Sequence, residues 1–122
     1  MTEPKPGGYA HMELISKDLK KTQKFYENVF GWKFNKVPDM DYSMYETPNG
    51  DGGGLRAPEA RENVGTLPYL NVKNVDEVAK RIEKAGGKVL VPKDEVPGWG
   101  WILIFQEPGG GVQGAWQAAD GK

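Results

Sequence analysis

The chain contains a single histidine, His11, and it stands two residues before a carboxylate, Glu13, in the segment Tyr9 to Ile15. If that segment is a strand, alternation sends His11, Glu13 and Ile15 to one face and leaves Met12 and Leu14 to pack on the other. A carboxylate beside an imidazole can hold it charged or orient it, which suits general acid/base chemistry near neutral pH. The same two residues also serve as a hydrogen-bonded rim pair, or the histidine as a contact between subunits. A second group is aromatic and polar. Alternation through Leu67 to Val72 puts Leu67, Tyr69 and Asn71 on one face, with Leu70 and Val72 toward a core. Trp116 lies two residues beyond Gly114 and shares its face, where an indole either floors a cavity beside an approachable glycine backbone or packs in the core. Trp99 and Trp101 flank Gly100, where they would clamp a flat ligand or cover a subunit interface. His11 and Glu13 are thus candidate catalytic residues, and Tyr69, Asn71, Trp116 and Trp101 candidate ligand contacts, with Tyr69 and Trp116 expected to face one cavity with His11.

The elements that must position these residues are legible from periodicity. Tyr9 to Ile15 reads as a strand, and Asp18 as the N-cap of a helix in which Leu19, Thr22, Phe25, Tyr26, Val29 and Phe30 recur at spacings of three and four before Gly31. Strands follow at Trp32 to Val37 and Tyr42 to Thr47, the latter closed by the turn Pro48-Asn49-Gly50, and a short one at Gly53 to Ala57. Residues 58 to 65 are charged and aperiodic, as a linker is. The pattern then restarts: a strand at Pro68 to Lys73, a capping box from Asn74 to Glu77, a helical stripe Val75, Val78, Ala79, Ile82 and Ala85 ending at Gly86-Gly87, and strands at Val89 to Val91, Trp101 to Phe105 and Val112 to Trp116. A shift of 56 residues superimposes Asp18 on Asn74 and Gly31 on Gly87, the mark of internal duplication. The expected organisation is one domain over residues 1 to 122, of class α+β, with βαβββ modules at 9 to 57 and 66 to 117.

Composition narrows the partners. At 122 residues the chain buries roughly two-thirds of its unfolded surface, enough for a real core. Sixteen basic against 17 acidic side chains give a formal charge of -1, no field for nucleic acid or acidic lipid. Lys17, Lys20, Lys21 and Lys24 sit at helical spacing, as a solvated helix face does. The absence of cysteine excludes disulfides, thiolate zinc sites and cysteine nucleophiles, and fits the cytoplasm. Met1 to Gly8 carries no apolar run and is expected to be a flexible lead-in without signal or membrane anchor. Gly109-x-Gly111-x-x-Gly114 matches a dinucleotide fingerprint in letters only, because that motif requires a following helix and a further strand whereas eight residues of this sequence remain after Gly114, and Gly50 to Gly54 lacks the ending of a phosphate loop.

His11-Met-Glu-Leu-Ile-Ser-Lys-Asp18 followed by Phe25-Tyr-x-x-x-Phe-Gly-Trp32 resembles the opening module of the vicinal oxygen chelate superfamily, the glyoxalase/bleomycin-resistance/dioxygenase family. Tyr69-Leu-Asn-Val-Lys-Asn-Val-Asp76, Ala85-Gly-Gly-Lys88 and Phe105-Gln-Glu-Pro-Gly-Gly-Gly-Val-Gln-Gly-Ala-Trp-Gln117 resemble its partner module. The resemblance covers residues 9 to 117. It implies two βαβββ modules forming a cupped, mostly antiparallel mixed sheet around a small-molecule cavity. In metal-dependent members it also implies a divalent ion held by the first and last strands of each module. Here those positions carry His11, Leu67, the Gly53-Gly54-Leu55 run and Gly114, so only one can ligate, and a single ligand gives no basis for tight chelation. The implied protein binds or transforms a small organic molecule without a bound metal or other cofactor. A metal-dependent lyase or dioxygenase, with ligands borrowed from a second chain, and a binding protein that sequesters a drug or metabolite unchanged are the competing readings. The open sheet and the aromatic surplus of Trp32, Trp99, Trp101 and Phe105 further imply a homodimer.

Overall fold

A computed structural model describes residues 5 to 119. Two helices and eight strands follow the order β1 (Tyr9–Ile15), α1 (Leu19–Phe30), β2 (Lys33–Lys36), β3 (Tyr42–Glu46), β4 (Gly52–Arg56), β5 (Gly65–Asn71), α2 (Val75–Lys84), β6 (Lys88–Val96), β7 (Gly100–Gln106) and β8 (Val112–Ala118). The class is α+β, and βαβββ occurs twice, as the periodicity predicts. The chain forms two compact units, His11–Leu67 and the residues up to Ala10 together with those from Pro68 onward. The unit boundary therefore cuts β1 after Ala10 and β5 after Leu67, where the sequence suggests a break only in the linker 58 to 65.

In the His11–Leu67 unit the strands run β2-β3-β4-β1, with β4 antiparallel to β3 and parallel to β1. Asp18 caps α1 by accepting from the Lys21 amide at 3.1 Å. Gly31 ends the helix in the left-handed region at φ 73°, a conformation glycine adopts without a Cβ penalty. Leu14, Tyr45 and Leu55 form the buried core, and Leu19, Tyr26, Trp32 and Phe34 pack on it. Trp32 stacks between Tyr26 (4.4 Å between centroids) and Tyr45 (4.7 Å), so the helix meets the sheet through aromatic faces, an arrangement that combines large buried area with favourable ring geometry. Burial, then the negative charge of Asp51, pushes the Tyr45 hydroxyl up to about 12, and it donates to the Met12 carbonyl at 2.7 Å. The Met12 side chain does not tuck under α1 as alternation suggests; it is 41% exposed.

The second unit repeats the wiring as β5-β8-β7-β6, with β8 parallel to β5 and antiparallel to β7. Asn74 caps α2 through the Glu77 amide at 2.9 Å. The left-handed residue after α2 is Gly86, at φ 93°, not Gly87. The 56-residue shift consequently holds at the helix starts and slips at their ends, α2 having 10 residues against 12 in α1. Val75, Leu103 and Ala115 are its buried core, packed by Val72, Ala79, Ile82, Trp101 and Phe105. Strand β6 runs on to Val96, five residues beyond the expected end, with register shifts around Leu90 and Pro92 to Lys93; proline within a strand is tolerated at an edge or a bulge, which is what this strand offers.

Two expectations change here. The stretch before β1 is anchored: the Gly7 amide donates to the Asn71 carbonyl and the Asn71 amide to the Gly8 carbonyl, while residues 1 to 4 lie outside the described residues. The aromatic surplus is also smaller than it looks in sequence, since Trp32, Trp101 and Phe105 pack on the cores. The exposed apolar residues include Trp99 and, on α1, Phe25, Val29 and Phe30. Among the described residues no helix is long and apolar enough to cross a membrane.

Candidate functional site

His11 and Glu13 stand on the face of the His11–Leu67 sheet opposite α1, because Leu14, one residue on, pairs with Leu55 in the core under the helix. Glu13 is buried, at 6% exposure, and is held from two directions. Its Oε2 accepts from the Tyr42 hydroxyl at 2.7 Å and its Oε1 from Arg56 Nε at 2.6 Å. Tyr42 and Arg56 are register partners on β3 and β4, so the strand pairing itself places the phenol and the guanidinium on the face of Glu13. Arg56 reaches the other way to Glu62, beyond β4, with Nη1 to Oε1 at 2.6 Å and Nη2 to Oε2 at 2.8 Å. Glu62 also accepts the Glu59 amide at 2.9 Å. The hydrogen bond from Arg56 pulls the Glu62 carboxyl below its usual range and, reciprocally, the bond from Glu62 raises the guanidinium.

Tyr42 reaches Glu13 only because residue 54 has no side chain. A Cβ at Gly54 would overlap the Tyr42 ring and hydroxyl. The other unit has a parallel feature: a Cβ at Gly114 would overlap the Tyr69 ring, and Tyr69, 3% exposed, is the register partner of Gly114. Gly54 and Gly114 are the residues that precede Leu55 and Ala115, the core residues paired with Leu14 and Leu70. They are therefore the last-strand positions of the two modules, and at each a tyrosine ring lies where a longer side chain would project.

Asn71 and Trp116 are register partners on β5 and β8 and share the face of Tyr69 and Gly114. The tip of the Trp116 indole passes 3.0 Å from where a Cβ would stand at Gly100. Ala115 is on the other face, in the core, so the alternation read from sequence is the register found in this unit. Trp101 lies on the other face. Its register partner is Gln117, one residue out of phase with Trp116, and it packs on the Val75, Leu103 and Ala115 core with the Lys93 ammonium 5.4 Å from its ring centre. Trp101 thus packs against the core with a cation on its ring, on the face opposite to that of Tyr69, Asn71 and Trp116. Sequence reasoning missed Tyr42, Arg56 and Glu62. The signal available for them was the Gly52-Gly53-Gly54 run, which marks close approach of neighbouring groups.

The residues at the four strand positions do not fit a chelated metal. Leu67 is 5% exposed and apolar, Gly54 and Gly114 are overlain by tyrosine rings, and among the described residues no group of three or more His, Asp or Glu side chains is disposed around a common point. The chemistry available to the His11 face is that of an imidazole and a phenol. Burial lowers the His11 pKa below 6.5, with the nearby Glu13 charge opposing, so the ring is neutral at neutral pH and can accept or donate a hydrogen bond. A cavity of about 370 Å³ in the same unit lies elsewhere, lined by Leu14, Ser16, Lys21, Thr22, Phe25 and Tyr26 among others and by none of the candidate residues.

The His11 shift has a measurable consequence. The folded state binds its proton less readily than the unfolded chain, so this contribution to stability is present above about pH 6.5 and is lost as pH falls from there toward the folded pKa. His11→Gln is expected to remove the loss that begins near pH 6.5. Equilibrium urea unfolding of both proteins between pH 7.5 and 5, with parallel curves as the contrary result, checks it.

The family model of the Glyoxalase/Bleomycin resistance protein/Dioxygenase superfamily matches residues 8–112. Anthracycline biosynthesis protein DnrV of Streptomyces peucetius is 30% identical, the alignment taking in 96% of this chain and 49% of that protein. Putative glyoxylase CFP32 of Mycobacterium tuberculosis is 31% identical over 88% of this chain and 44% of its own length. The chain thus spans about half the length of these curated relatives. Among solved structures, methylmalonyl-CoA epimerase from M. tuberculosis has a TM-score of 0.67 at 14% identity, covering 98% of this chain and 93% of that one. A glyoxalase/bleomycin resistance protein/dioxygenase superfamily member from Vibrio splendidus has a TM-score of 0.65 at 18% identity, over 89% and 97%. At these identities the structural likeness speaks for the fold alone.

Proposed function

The chain belongs to the glyoxalase/bleomycin resistance protein/dioxygenase superfamily, and from that premise we propose that it binds a small, flat organic molecule without a resident metal. The observation that carries this reading is the replacement of side chain by ring: at both last-strand positions a glycine makes room for a tyrosine, Tyr42 over Gly54 and Tyr69 over Gly114. Aromatic faces and phenol hydroxyls then take the place that metal ligands hold in other members. They supply stacking area and hydrogen bonds, the ordinary means of holding an organic ligand. Tyr69, Asn71 and Trp116, which share one face of their unit, are the proposed contacts there, and His11 is the proposed contact on its own unit.

Glu13 has a supporting part in this reading. Both of its oxygens accept hydrogen bonds within its own unit, so it orients Tyr42 and the strand pairing instead of moving a proton. That favours binding over chemistry and leaves the His11 imidazole as a group on this face suited to general base work. The Streptomyces relative's name places that protein in anthracycline biosynthesis, and a role in handling an organic intermediate of such a pathway agrees with the proposed ligand. Pairing with a second copy is part of the same proposal, with the exposed Phe25, Val29 and Phe30 of α1 as surface for it to cover.

Protein purified without a tag is expected to carry nickel, zinc and iron well below one ion per chain, and none of these ions should raise its melting temperature. Elemental analysis combined with thermal melts measures both. Near-unit occupancy by a metal that His11→Ala releases would sink the reading.

A further inference from the structure

The cavity of about 370 Å³ in the His11–Leu67 unit has the size of a site for a small ligand, at the lower end of the usual range. Leu14 and Ile15, 6% and 7% exposed, give it an apolar wall from β1. From α1 come two rows at the i, i+4 spacing that sets side chains on one helix face, Lys21 with Phe25 and Thr22 with Tyr26. Tyr26 is held by its stack on Trp32 at 4.4 Å, and Phe25 stands edge-on to it with centroids 5.2 Å apart. The Phe25 residue is nonetheless 53% exposed, so it has apolar area left to cover. The polar side chains of the lining have donors to spare. Ser16 Oγ and Thr22 Oγ1 are 2.6 Å apart, and Ser16 Oγ also accepts from the Asp18 amide at 2.9 Å. Two hydroxyls carry two protons, and only one can lie between the oxygens; the other meets no acceptor among the described residues. Lys21 is the one charged side chain of the lining, and among the described residues its ammonium joins no ion pair. Asp18 is not part of the lining; its carboxylate accepts from the Lys21 amide.

From these walls we propose that the cavity binds an aromatic carboxylate of one or two rings, at a site separate from the contacts named above. The ring lies between Phe25 and the wall of Leu14 and Ile15. The carboxylate accepts from the Lys21 ammonium and from the hydroxyl pair of Ser16 and Thr22, charge-assisted bonds that are stronger than those of a neutral head group and closed to an ammonium. Phe25 also belongs to the α1 surface offered to a second copy, but Val29 and Phe30 do not line the cavity.

The test uses the full chain at pH 7 and three probes of one shape: 1-naphthoate, 1-naphthamide and 1-naphthylmethylamine. Calorimetry gives the affinities and amide NMR shifts the place of binding. The carboxylate is expected to bind most tightly of the three and to move the amides of Ile15, Ser16, Thr22 and Phe25. Lys21→Gln should weaken it about fivefold, the scale of one charge contact that water partly screens. Lys20→Gln, the same change of charge on a residue outside the lining, should leave it unaltered. Both lysines are exposed, so neither substitution disturbs the fold. Thr22→Val should also weaken the carboxylate, and Phe25→Ala should weaken all three probes. Equal losses from the two lysine variants would mean diffuse attraction to a lysine-rich helix and would overturn the proposal, as would no loss from either. Shifts confined to Tyr69, Asn71 and Trp116 would report the other site and overturn it too. So would an affinity that falls as protein concentration rises, because a second copy would then be covering the cavity. Failure of 1-naphthoate to bind the unaltered chain overturns it outright.

Discussion

Replacing Arg56 with methionine should destabilise the protein by about 3 to 5 kcal/mol, the cost of leaving a buried carboxylate without its cation. The Glu13 side chain is 8% exposed and that of Arg56 15%, so water cannot take over the lost contact. Arg56→Lys should recover only part of the loss, because an ammonium cannot serve Glu13 and the two oxygens of Glu62 with a planar fork. Adding Glu13→Gln to Arg56→Met should restore stability, since it removes the charge that the first substitution stranded. The acid limb of the stability curve should change as well. The Glu62 carboxyl is held below 4.5 by Arg56, so its contribution is present above about pH 4.5 and disappears as pH falls through the lowered folded value; in Arg56→Met that component should vanish. Urea unfolding of the single and double variants at pH 7, repeated between pH 5.5 and 3.5, tests each part. A loss under about 1 kcal/mol for Arg56→Met would mean that the pair behaves as a surface salt bridge.

Gly53→Ala is expected to cost about 3 kcal/mol, the upper end of what overpacking by one methyl group does, or to prevent folding. The added Cβ would run into the backbone carbonyl of Met12, which is fixed by strand β1 and accepts from the Tyr45 hydroxyl at 2.7 Å. No rotamer relieves that clash. At Gly54 the obstacle is the Tyr42 side chain, which can swing away, so Gly54→Ala should cost closer to about 1 to 2 kcal/mol. The smaller loss would have a specific signature, the release of Tyr42 from Glu13. Denaturant unfolding of the two variants side by side, with Tyr42→Phe as a reference for the lost hydrogen bond, separates them; equal and small losses would show that β1 and β4 are not packed as closely as described.

The sequence alone determined both helices with their Asp18 and Asn74 caps, the twofold βαβββ order, and the strand alternation that sets Ala115 in the core and Trp116 on the opposite face. These are local properties: caps act within one turn, and the periods of 3.6 and 2 depend only on neighbouring residues. The family was legible too, because order and spacing of such elements persist in the letters. Tertiary structure alone decided which groups surround the candidate site. Tyr42, Arg56 and Glu62 lie 29, 43 and 49 residues from Glu13, at separations evident from the numbering, and reach it only through the register of β3 and β4 and the bend after β4. Trp101 went the other way for the same kind of reason: a tryptophan beside a glycine reads alike on either face, and only its pairing with Gln117 assigns it to the core. The glycines at positions 54 and 114 look in sequence like missing ligands. In the fold they are the space that two tyrosine rings require, since a residue with no side chain takes its meaning from whatever packs against its backbone.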